Sequence, residues 1–94
     1  MELAVAAALW EELEFYSRAA DLYRRIGNWK QSRYCEIKSA EKSENWAEAA
    51  RRWELLEEWK EAARCWREAG LESAARQSEE RARQASAQQA VADG

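Results

Sequence analysis

Residues 46–70, WAEAARRWELLEEWKEAARCWREAG, state one phrase twice. A large apolar residue is followed by Ala three positions on, an aromatic at seven and an apolar residue at ten. The copies are Trp46, Ala49, Trp53, Leu56 and Trp59, Ala62, Trp66, Ala69. At about 100° per residue these offsets fall within an arc of roughly 80°, so each copy spells one amphipathic helix of about three turns. Working outward, the same phrase is found as Tyr16, Ala19, Tyr23, Ile26 and as Leu3, Ala6, Trp10, Leu13. A degenerate copy starts at Trp29, with Ser32 in place of Ala, Glu36 in place of the aromatic, and Ile37 and Ala40 beyond. A last stripe runs from Leu71 through Ala74, Ala75, Ser78, Ala82 and Ala85, and is made almost wholly of small residues.

Composition agrees with a chain of helices. Among 94 residues there is no Pro and there are only three Gly, while six Trp stand in a chain where a single domain needs every large apolar side chain for its core. The core is therefore expected at Trp10, Tyr16, Tyr23, Trp29, Trp46, Trp53, Trp59 and Trp66. Only two residues separate most copies, as at Gly27-Asn28 and Glu57-Glu58, which forces neighbouring helices to fold back on each other. Gly27 suits a left-handed C-cap, and Asn28 and Asn45 are each placed to cap the helix that follows. Overlaying residues 16–45 on 46–75 aligns Ala19 with Ala49, Ala20 with Ala50, Trp29 with Trp59 and Cys35 with Cys65, a period of 30. The expected fold is all-α: short antiparallel helical hairpins, about six helices, stacked as an α-solenoid over residues 1–85. The composition of residues 86–94 predicts a frayed or disordered tail.

The run Glu57-Glu58-Trp59-x-x-Ala62-x-x-x-Trp66-x-x-Ala69 resembles the second-helix signature of tetratricopeptide repeats, Gly-Asp-Tyr-x-x-Ala-x-x-x-Phe-x-x-Ala, and Gly27-Asn28-Trp29 reproduces its opening. The wording RAADLYRRIGNWKQS is also similar to SNAP-type and coatomer-type helical repeats, in which both helices of a hairpin carry similar patterns. The resemblance covers residues 3–85. Here the period is 30 in place of 34, and Glu36 and Ser39 stand where the signature has Phe and Ala. The resemblance implies a scaffold that binds proteins or peptides.

Functional chemistry is thin in the sequence. There is no His, no phosphate-binding loop and no nucleophile with an adjacent base, so no catalytic residue, cofactor site or metal site is expected, and no enzyme activity. Acid pairs such as Glu11-Glu12 and Glu79-Glu80 diverge by about 100° on a helix and make poor catalytic pairs. A net charge of -3 gives no electrostatic reason to bind nucleic acid or an anionic membrane, and no apolar run is long enough to span a bilayer. Cys35 and Cys65 read as buried thiols at matching positions, and a cytoplasmic, reducing setting is expected. Arg51, Arg52, Arg64 and Arg67 form either a ridge for an acidic partner or, with the interleaved Glu residues, a solvated salt-bridge face. The first helix is the exception to the pattern, because residues 3–10 are apolar on every side. Leu3, Val5 and Leu9 are therefore the candidate interaction face, to be covered by a protein or peptide partner, by a neighbouring domain of a longer chain, or by a second copy. The function expected is a non-enzymatic interaction or scaffold module of a larger cytoplasmic assembly, with self-association through the first helix as the alternative.

Overall fold

A computed structural model of the chain describes the backbone of residues 2–93 and the side chains of residues 2–90. The described residues form six helices and no strand: α1 (Leu3–Glu12), α2 (Tyr16–Arg25), α3 (Trp29–Lys42), α4 (Trp46–Leu55), α5 (Trp59–Glu68) and α6 (Glu72–Asp93). They fall into two compact units, residues 1–44 with α1 to α3 and residues 45–94 with α4 to α6. In each unit every helix packs on the next one in sequence, α1 on α2 and α2 on α3, then α4 on α5 and α5 on α6. The chain is thus all-α, built of consecutively packed helices.

The turns repeat more strictly than their residues do. Glu14, Gly27, Glu57 and Gly70 all lie eleven positions after the start of a phrase, and all adopt left-handed backbone, with φ of 64°, 79°, 59° and 79°. Each donates its N–H to the carbonyl three residues back, and the residue after it bonds five back, as in Phe15 to Trp10 (2.9 Å), Asn28 to Tyr23 (2.9 Å), Glu58 to Trp53 (3.0 Å) and Leu71 to Trp66 (2.9 Å). This paired closure satisfies carbonyls that a helix end leaves open and reverses the chain in two residues. Glu44, after the longer α3, takes the same conformation at φ 61°. Asn28 caps α3 as expected, its side-chain oxygen accepting from the Gln31 N–H at 3.3 Å. Asn45 occupies the N-cap of α4 but makes no side-chain capping bond, so only its position, and not its bond, repeats that of Asn28.

Burial picks out the middle of the phrase. Offsets three and four supply Ala19, Ala20, Ser32, Ala49, Ala50, Ala62, Ala63 and Ala75, all buried, and offset seven supplies the buried Tyr23, Trp53 and Trp66. The two outer positions of the phrase behave differently. Because four of the helices are only 10 residues long, the first position sits on the opening turn and the tenth falls on the C-cap, where neighbours are few. Leu13, Ile26 and Leu56 at the C-caps are accordingly exposed. Trp29, expected in the core, is 59% exposed on the first turn of α3. Trp10, Tyr16, Trp46 and Trp59 are half-buried.

The two units carry the same residues at the same places. A shift of 43 positions places Ala7 on Ala50, Trp10 on Trp53, Glu11 on Glu54, Ala20 on Ala63, Arg24 on Arg67, Gly27 on Gly70 and Glu36 on Glu79. Interactions follow the residues: Arg24 pairs with Glu36 at 2.7 Å, and Arg67 pairs with Glu79. Glu11 and Glu54 each accept a bond from the third helix of their unit, from Gln31 (3.0 Å) and from Ser78 (3.2 Å). This correspondence spans three helices, whereas the 30-residue period read from the sequence spans two. The final stretch of α6, residues 86–93, continues the helix to Asp93. Ala, Gln and Ser interrupted by no Gly or Pro allow that, although Ala85 to Ala90 are all exposed and bury nothing. Gly94 lies outside the described residues.

Candidate interaction surface

Helix α1 is LAVAAALWEE, held by Ala propensity more than by caps, since Glu2 at its N-cap makes no side-chain bond. It docks on α2 through a narrow strip: Ala7 is fully buried, with Ala6, Trp10 and Glu11 half-buried beside it. Glu11 anchors the strip, its carboxylate accepting from Tyr23 Oη at 2.9 Å and from Gln31 Nε2 at 3.1 and 3.0 Å. That network joins α1, α2 and α3 and leaves Glu11 facing inward. Burial and the neighbouring carboxylate push the Tyr23 hydroxyl up to about 12. Burial, followed by the charge of Glu11, pushes the Cys35 thiol up to about 11. Both groups stay protonated at neutral pH, and Cys65 is as fully buried as Cys35.

The opposite arc of α1 has no cover within its unit. At about 100° per residue, Ala4, Val5, Ala8, Leu9 and Glu12 lie together on it, and all five are exposed. Val5 is 48% and Leu9 43% exposed, with Leu3 at 42% on the first turn. The C-terminal end of the helix is closed by an aromatic corner, Trp10 against Phe15 edge-to-face at 5.4 Å, with Arg18 over Trp10 and Lys42 over Phe15. The fold supplies its own control for this arc. At the matching places α4 carries Glu48, Arg51 and Arg52, with Glu48 and Arg52 paired at 2.9 Å, where α1 has Val5, Ala8 and Leu9.

The arginines singled out in the sequence divide between two places. Arg51 lies over the Trp66 ring at 6.0 Å and Arg52 pairs with Glu48. Arg64 and Arg67 instead join Lys60 and Arg83 around an open groove of about 660 Å³ between α5 and α6, floored by Ala63 and Ala82. Sequence reading reached Arg64 and Arg67 but not the groove. Its signal was the spacing of Lys60, Arg64 and Arg67, which puts three cations on one face of α5 beside the small stripe of α6. Arg64 pairs with Glu61, Arg67 with Glu79 and Glu72, and Arg83 with Glu80.

Among the described residues no three metal-ligating side chains cluster, and no helix is long and apolar enough to cross a membrane. No family model, curated protein or solved structure matches the chain.

Proposed function

We propose that the chain is a non-enzymatic interaction module of the tetratricopeptide-like helical-repeat kind, and that the outward arc of α1 is where it meets another protein. The single observation behind this is Val5, Ala8 and Leu9 standing exposed where the matching helix α4 has charged residues. A helix that is apolar on both sides is unfavourable at a free surface, and exposed contiguous apolar area is the physical mark of a docking site. The 43-residue correspondence and the recurring left-handed turns support the repeat reading. In this reading the protein is a scaffold module of a larger cytoplasmic assembly and meets its partner through α1. The test is a photo-crosslinking residue placed at position 5, with the same residue at position 80 on α6 as control. Protein adducts concentrated at position 5 are expected; equal yields at both positions would contradict the reading.

A further inference from the structure

The first unit holds its three helices together unequally. Helices α2 and α3 are tied to each other along their length: Ser17 Oγ meets Ser39 Oγ at 3.0 Å, the buried Ser32 Oγ donates to the Ala20 carbonyl at 3.0 Å, and Arg24 pairs with Glu36 at 2.7 Å. None of these ties involves α1. That helix buries only Ala7 outright, where α4 at the matching place buries Ala49, Ala50 and Trp53. Among the described residues its side-chain hydrogen bonds to the other two helices converge on Glu11, which accepts from both Tyr23 and Gln31. At the other end of α1, Glu2 makes no capping bond and the first turn carries no acidic residue. A helix of 10 residues is too short to persist alone in water, so α1 is helical only while it is docked.

We propose that α1 is a strap that opens as one piece while α2 and α3 stay folded, and that Glu11 is its latch. The pivot is the turn behind it. Lys42 of α3 donates to the Glu14 carbonyl at 2.8 Å and lies over the Phe15 ring, which keeps that turn on α3 when the helix leaves. Trp10 sits half-buried beside this pivot, edge-on to Phe15 at 5.4 Å. Breaking the latch frees the rest of α1, because Ala7 is too small to hold it by burial and Leu3, Val5 and Leu9 leave much of their area in solvent. Opening uncovers the seat under Ala7, which is formed by Ala19, Ala20, Tyr23 and Cys35. The strap does not depend on what meets its outer arc, so this proposal and the docking reading fail separately.

The two cysteines report on this directly, because Cys35 lies in the seat and Cys65, fully buried in the second unit, is an internal control. The full 94-residue chain is treated with iodoacetamide at about pH 8, and labelling of each cysteine is followed by peptide mass spectrometry. Cys35 should label about tenfold or more faster than Cys65. Its rate should rise with urea at less than about half the slope of the unfolding transition, since opening one helix exposes only a fraction of the surface. Glu11→Ala should quicken Cys35 by about tenfold and leave Cys65 unchanged, and Glu11→Gln, which keeps an acceptor oxygen, should fall between. Circular dichroism checks that both variants fold, and the urea slope of the parent decides by itself if they do not. Equal rates at the two cysteines, a Cys35 rate with the full slope of unfolding, or a Glu11→Ala rate no faster than that of the parent overturns the proposal.

Discussion

Three glutamates do a glycine's work. Glu14, Glu44 and Glu57 hold left-handed φ values that cost a side-chain-bearing residue about 1 kcal/mol relative to Gly. Replacing Glu57 by Gly is expected to raise the unfolding free energy by about 0.5–1 kcal/mol in urea titration. Gly27→Ala should lower it by about 1 kcal/mol, entirely through the backbone, because nothing lies within 4 Å of the added methyl. The Glu11 network sets a second expectation. Tyr23→Phe removes one of the donors to Glu11 and should cost about 1 kcal/mol, with Gln31 still holding the carboxylate. Tyr23 and Cys35 also fix the response to alkali. Their folded values of about 12 and about 11 lie above the ordinary 10.0 and 9.0. The unfolded chain therefore loses these protons first as pH rises, and the stability they contribute is complete below pH 9 and lost between about pH 9 and 12. The melting temperature should fall over that window, and Tyr23→Phe should flatten its upper part. Neither Cys35 nor Cys65, both fully buried, should react with an alkylating reagent at neutral pH while its unit stays closed.

At the scale of the helix, length decides more than pattern. Offsets of three, four and seven fall in the body of a 10-residue helix and meet the neighbouring helix, whereas the first and tenth fall at its ends. That is why the Ala pairs and Tyr23, Trp53 and Trp66 are buried as the spacing implies, while Leu13 is not; Trp29, on the opening turn of the longer α3, is exposed as well. The phrase marks which residues share a face; it carries no information about how far along the helix the neighbour extends. The groove between α5 and α6 was hidden for a related reason, since one of its four cations, Arg83, and its remaining wall come from a helix whose stripe of small residues gives no sign of a groove. The far end of α6 is a separate case. A helical extension whose residues 86–90 are all exposed is near the limit of what isolated helices sustain in water. Ending the chain at residue 85 should remove helical signal in circular dichroism while changing unfolding free energy by less than about 0.5 kcal/mol.

For the chain as a whole, the matching of residues 43 apart shows which features belong to the architecture and which to one unit only. The left-handed turns, the buried Ala pairs and the Arg–Glu bridges recur, so they are explained by packing. The apolar arc of α1 does not recur, and packing within its unit does not use it. Val5 therefore lies outside the core, whereas Ala20, on the neighbouring helix α2, lies within it. Equilibrium unfolding of Val5→Lys beside Ala20→Lys at low micromolar concentration tests this most directly. Val5→Lys should unfold within about 0.5 kcal/mol of the parent, and Ala20→Lys, only 2% exposed in the native fold, should lose about 3 kcal/mol or more by burying an unpaired charge. A loss at position 5 as large as that at position 20 would mean that the arc is already packed inside the folded chain, and would contradict the account.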